Sequence, residues 1–218
     1  MTAERVIELA RSQVGVTEYP PNSNNVLYNT YYYGHPVQDG VPKGRTYPWC
    51  VTFIQWLFKS EPSMLMKTAS CSTLLNWCKQ NGMIVDKPQV GDLCFMKFDN
   101  DPRYPAGHIG IVDKAKGAKD VYNIEGNTSE KGSQDNGGAV LRKHRTGKCI
   151  VAYARPKYVQ GTLTNITNRK SNEEVAMEIY RGKGGWGNNP QRREKLAAAG
   201  YNPKEVQKIV DQLMRGQR

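Results

Sequence analysis

The hydrophobic rhythm of the chain changes near residue 88, and this change limits the folds open to it. Before that point, apolar residues recur at helical spacing; after it come short runs of strand character, separated by Gly, Asn and Asp. A first helix is expected over 2–14, capped by Thr2, with Ala3, Val6, Ile7, Ala10 and Val14 as its apolar stripe and Gly15 as its stop. Residues 16–47 lack sustained periodicity and read as a long loop holding one short helix near 26–33. Helices follow from Cys50 to about Phe58, with Phe53, Trp56 and Leu57 on one face, and from Cys71 to Gln80, with Ser70 as cap. Strands are then expected at 93–98, 107–113, 120–125, 139–144 and 150–154. Helices followed by an antiparallel set of strands make an α+β fold.

From residue 159 to 171 the chain is polar and reads as a linker. Beyond it, Val175, Ala176 and Ile179 form one helical stripe, 191–199 a second helix closed by Gly200, and Val206, Ile209, Val210 and Leu213 the stripe of a third. The expected organisation is a core-bearing domain over 1–158, a linker over 159–171 and a small three-helix bundle over 172–218.

Charge bears on partners. The net charge is +11, and residues 161–218 carry +5 of it. Such a balance suits polyanions: nucleic acid, an anionic membrane or an anionic cell wall. No apolar run reaches the ~18 residues of a membrane span. The start, Met1-Thr2-Ala3-Glu4-Arg5, lacks the basic, apolar and cleavage regions of a secretory signal. Five cysteines at irregular spacing, without a signal, argue for reduced thiols. Cys71, Cys78 and Cys94 contain no C-x-x-C pair of the kind zinc sites use.

The chemistry gathers around Pro48-Trp49-Cys50. Cys50 is placed in the first turn of a helix, where backbone N–H groups and the helix dipole favour thiolate over thiol. A nucleophilic cysteine also needs a base and a group that orients the base. Of the three histidines, His35 lies in the long loop and His144 in the basic run Arg142-Lys143-His144-Arg145, and both read as surface residues. His108 stands in Gly107-His108-Ile109-Gly110-Ile111-Val112, where glycines permit close approach of another group. Downstream, Glu125 is positioned to accept a hydrogen bond from the His108 ring, and Asn127 to support either the ring or an oxyanion. The backbone N–H of Cys50 is the expected oxyanion donor.

These three motifs, with the loop text Glu18-Tyr19-Pro20-Pro21-Asn22-Ser23-Asn24-Asn25, resemble the CHAP family, the cysteine, histidine-dependent amidohydrolases/peptidases, and in particular the CHAP domains of bacteriophage endolysins. The resemblance spans roughly residues 1–157. It implies a papain-like domain that hydrolyses peptidoglycan, with Cys50 as nucleophile, His108 as base, Glu125 as orienting group and Asn127 as an auxiliary polar residue. Some CHAP domains hold calcium in an Asp-rich loop before the cysteine. That loop carries Asn and, as acidic residues, only Glu18 and Asp39 here, so no cofactor or metal is expected, with calcium in this loop as the alternative.

The tail, with Val175 to Gly182, Trp186-Gly187-Asn188, Arg192, Leu196 to Tyr201 and Val206-Gln207, is similar to the type-seven cell-wall-binding repeat of phage lysozymes. That resemblance implies peptidoglycan as partner, with Arg181, Trp186, Asn188, Arg192 and Tyr201 as candidate contacts. It also implies accumulation in the cytoplasm of the producing cell and action on the wall after release, as a monomer by default. Two other readings stand beside it. One is a wall-binding protein without catalysis, against which the Cys50/His108/Glu125 set argues. The other is a nucleic-acid-binding protein, for which no basic and aromatic interleaved motif is present.

Overall fold

The computed structural model describes residues 1–98, 104–131, 136–159, 170, 172–199 and 201–215. It divides into two compact units, Met1–Gln160 and Gly161–Arg218.

The first unit opens with α1 (Ala3–Arg11), whose N-cap Thr2 accepts the Arg5 N–H at 3.3 Å. Val6, Ile7 and Ala10 are buried as the stripe requires, but the helix stops short of Val14, which is 46% exposed. The reason is the sheet: Gly15 N–H donates to the Val140 carbonyl and Val140 N–H to Val16, so the chain leaves the helix to pair with a strand. Three more helices follow, α2 (Leu27–Tyr33), α3 (Cys50–Leu57) and α4 (Cys71–Gln80).

The sheet has six strands in the order β1-β6-β2-β3-β4-β5, every pair antiparallel. They are β1 (Ile84–Val85), β2 (Leu93–Met96), β3 (His108–Gly117), β4 (Asp120–Thr128), β5 (Ala139–Thr146) and β6 (Ile150–Ala154). The α+β expectation is met. At two residues, β1 is too short for alternation to reveal it.

Helix α3 packs on β3 and β4. Phe53, Ile54 and Leu57 are fully buried in a cluster with Phe95, Ile109, Ile111 and Ile124. Each such side chain contributes roughly 1.5–3 kcal/mol by leaving water. Cys94, Met96, Val112, Val121, Ile150 and Tyr153 form a second cluster of buried residues. Gly126 sets how closely the start of α3 approaches β4. A Cβ there would lie 2.8 Å from both Phe53 and Trp49, so only glycine admits this contact.

In the second unit, α5 (Asn172–Tyr180), α6 (Gln191–Ala198) and α7 (Pro203–Arg215) enclose Val175, Ala176, Ile179, Leu196, Val206 and Val210. The linker expected over 159–171 lies outside the described residues except for Val159 and Lys170, and so does the helix stop at Gly200. Among the described residues no helix is long and apolar enough to cross a membrane.

Candidate active site

Trp49 is the residue before α3, and Cys50 is the first residue within it. Pro48 therefore sits just outside the helix. Trp49 is fully buried. Its ring stacks on Tyr28 with centroids 5.5 Å apart, and its Nε1 donates to Glu18 Oε2 at 3.2 Å. Glu18 also accepts the Asn24 N–H at 2.9 Å. The loop that precedes the helix thus fixes where the helix begins.

His108 is the first residue of β3, and its Nε2 lies 3.1 Å from Glu125 Oε2, with both side chains fully buried. The register Ile111↔Ile124 and Val112↔Asn123 sets Glu125 opposite Gly110. A Cβ on Gly110 would stand 2.6 Å from Glu125 Cγ, so this glycine makes room for the carboxylate. Gly110→Ala is expected to displace Glu125 and lower turnover about 10- to 100-fold, given how steeply rate depends on the placement of reacting groups. Turnover on purified walls, measured beside the thermal midpoint, separates this from loss of fold.

With Nε2 committed to Glu125, Nδ1 is left for the thiol. It is buried and has no hydrogen bond of normal geometry, while the ring and the Cys50 thiol interact directly. Loose pairing of this kind is common before substrate binds. The Cys50 pKa is lowered to about 5, first by a hydrogen bond from Cys71 and then, against the cost of burial, by His108 and the Val51 N–H. For His108, burial works to lower the pKa, but Cys50 and Glu125 outweigh it and raise the value to about 9. Both directions describe a thiolate facing an imidazolium.

Glu125 is held by a residue that sequence reasoning missed. Arg145 on β5 grips it with two bonds, Nε to Oε1 at 2.9 Å and Nη2 to Oε2 at 2.6 Å. Burial works against the Glu125 charge, yet Arg145 and His108 together lower its pKa to about 2. The sequence offers Arg142-Lys143-His144-Arg145 only as the basic surround of His144, yet the Arg145 side chain is just 8% exposed. Register explains the difference: Arg145 lies opposite Val121, two residues from Asn123 and four from Glu125 on the same face of β4. Arg142 instead joins Arg11 on Asp113, and His144 stacks on Tyr122 beside Asp120. Phe98 lies against this line, its ring 5.9 Å from His108 and 4.9 Å from the Arg145 guanidinium carbon.

Cys50, His108 and Glu125 are therefore brought together. Asn127 is buried two residues further along, at φ 60°, where its Nδ2 donates to Asn136 and its carbonyl accepts the Gly137 N–H. His35 is exposed and bonds the Pro36 carbonyl. Glu18 and Asp39 serve the loop itself, Asp39 accepting from Asn24 Nδ2 and the Tyr47 N–H. Among the described residues no group of three or more His, Cys, Asp or Glu side chains could hold a metal ion.

In the second unit, Trp186 donates to Glu178 at 3.2 Å and meets Tyr201 edge-on, with centroids 5.7 Å apart. Arg192 donates to the Gly187 carbonyl, Asn188 Oδ1 and Gln207 Oε1, bracing the turn before α6. Arg181 follows α5 and is exposed. A groove of about 770 Å³ lies elsewhere, lined by Asn189, Arg193, Leu196, Lys204, Gln207 and Asp211 among others. None of the five candidate contacts lines it.

Two known families match parts of the chain. Residues 42–127 match the CHAP domain. The match includes Cys50, His108, Glu125 and Asn127 and ends before Arg145. Residues 173–214 match the CW_7 repeat, covering most of α5, all of α6 and nearly all of α7. The CHAP domain indicates a peptidoglycan hydrolase of amidase or peptidase type, dependent on cysteine and histidine, and the CW_7 repeat indicates binding to the cell wall. No curated protein matches the chain.

Proposed function

We propose that the protein is an endolysin-type peptidoglycan hydrolase that cleaves an amide of the wall peptide through Cys50. The observation that carries this reading is the buried line from Cys50 to His108 to Glu125, with a thiolate favoured at its outer end. The thiolate attacks the amide carbonyl carbon. The oxyanion forms at the start of α3, where the first N–H groups have no partner within the helix. His108 gives its proton to the leaving amine, and the acyl group remains on Cys50. His108, now neutral, takes a proton from water, the hydroxide releases the acyl group, and the thiolate returns. Glu125 holds the ring in the tautomer and orientation both steps need.

The scissile bond is either the one between muramic acid and L-alanine or a peptide bond of the stem or cross-bridge, since both demand this machinery. The CW_7 unit serves to retain the enzyme on the wall, and Arg193 and Lys204 in its groove suit the carboxylates of stem peptides. Digestion of purified walls by wild type and by Cys50→Ala, followed by mass spectrometry of the fragments, tests the reading. New termini in the wild-type digest alone identify the bond, and equal digestion by both proteins rejects the cysteine mechanism.

The pH profile follows from the pair. Below about 5 the thiolate takes up a proton and attack fails; above about 9 the imidazolium loses its proton and the leaving amine has no acid. Turnover on soluble wall fragments should fall on both sides of that window. A profile that keeps rising past its upper edge would show that His108 is not the acid.

A further inference from the structure

Amide hydrolysis by Cys50 needs one sulfur, but the site holds two. Cys71 opens α4 as Cys50 opens α3, so two helix N-termini converge on a single pair of sulfurs. Their Sγ atoms are 3.6 Å apart, in hydrogen-bond contact but not joined by a disulfide. A disulfide measures about 2.05 Å, so closure needs an approach of about 1.5 Å. The position of Cys71 is built. Ser70 caps α4 through the Thr73 N–H. Ser72 Oγ donates to the Ala106 carbonyl at 2.9 Å and accepts the Ala106 N–H at 3.4 Å. This ties the start of α4 to the segment that leads into His108. The two cysteines are 4% and 7% exposed, so a small hydroperoxide is the oxidant suited to the first attack. Of the other thiols, those of Cys78 and Cys94 are pushed up by burial and are poor nucleophiles.

We propose that Cys71 is a resolving thiol, which converts peroxide-oxidised Cys50 into a Cys50–Cys71 disulfide and so makes inactivation of the site reversible. The proposal rests on Cys50 being the nucleophile. The oxidant is a hydroperoxide. The Cys50 thiolate attacks one peroxide oxygen, the O–O bond breaks, and hydroxide leaves and is protonated to water. Cys50 is now a sulfenic acid, oxidised by two electrons, and the peroxide is reduced by two. The Cys71 sulfur then attacks the Cys50 sulfur, the S–O bond breaks, and the Cys71 proton leaves with the hydroxyl as a second water. A dithiol reverses the change by exchange through a mixed disulfide. Without Cys71, the sulfenic acid proceeds to the sulfinic state, which thiols do not restore.

The test compares full-length wild type and Cys71→Ser after hydrogen peroxide, each scaled to its own reduced activity. Wild type is expected to lose lysis at least about tenfold, to become about 2 Da lighter, to yield a peptide joining Cys50 to Cys71, and to return within about twofold of its start after dithiothreitol. Cys71→Ser is expected to lose lysis equally, to become about 32 Da heavier at the Cys50 peptide, and not to recover. The proposal is overturned if wild type gives no Cys50–Cys71 peptide, or if its only disulfide joins other cysteines. Should Cys71→Ser fold poorly, the wild-type peptide map decides. That map is read without lysis, so it stands apart from the Cys50→Ala digestion that tests the nucleophile.

Discussion

Cys50→Ser should lower amide cleavage by at least about 10³- to 10⁴-fold while leaving binding to isolated walls within about twofold. A serine hydroxyl is nearly isosteric with the thiol, so α3 should keep its start against Trp49 and Gly126. The chemistry is lost because this site stabilises a charge on sulfur. Cys71 and the Val51 N–H hydrogen-bond that charge, and His108 faces it as a cation. A hydroxyl does not ionise under these conditions, and His108 would have to remove its proton during attack from a resting state set up for an ion pair. Wall pull-down measures retention and release of soluble fragments measures cleavage. Cleavage by Cys50→Ser within about tenfold of wild type would sink the assignment of Cys50.

Arg145→Met is expected to cost about 3–5 kcal/mol of stability, the range for breaking a buried ion pair by removing one partner. Glu125 is fully buried, and both of its oxygens are committed to Arg145, with Oε2 shared by His108 and Oε1 by Asn123. Removing the guanidinium leaves a buried carboxylate whose main remaining counter-charge is His108. The carboxyl then tends to take up a proton, and His108 loses support for its charged form. Turnover should fall at least about tenfold. Adding Glu125→Gln should return part of the lost stability, because the unpaired charge is gone, but not turnover. Urea unfolding of the two single variants and the double variant gives the coupling energy. A stability loss under about 0.5 kcal/mol for Arg145→Met would show that the pair is not what holds Glu125.

The contrast between His108 and Arg145 shows what sequence could reveal here. His108 was legible because a histidine between glycines in an alternating strand has few other roles, and Glu125 because the next strand places it within reach. Arg145 was hidden by its neighbours. Arg142, Lys143 and His144 read only as a basic stretch, and the inward turn of Arg145 follows from the β4–β5 register that pairs it with Val121 on the face carrying Glu125, which composition does not encode. Cys71 was hidden for another reason. Its capped helix was evident from Ser70 and the apolar stripe, but its contact with Cys50 depends on how two helix starts converge. In the second unit, Trp186 and Arg192, two of the candidate contacts, also brace the turn through Glu178, Gly187 and Asn188.

The grip of Arg145 on Glu125 also governs when reactivity can arise. The side chains that favour a thiolate at Cys50 come from positions 71 and 108, and His108 is held in turn by Glu125 and, through it, by Arg145. The last of these lies on β5, at the end of the sheet beside β4. A nascent chain that has released residues 1–130 from the ribosome lacks Arg145, the partner of Glu125. The site is completed only when β5 docks on β4, a long-range step that comes after the helices can form. During synthesis the buried Glu125–His108 pair therefore gains its arginine only after β5 has been made.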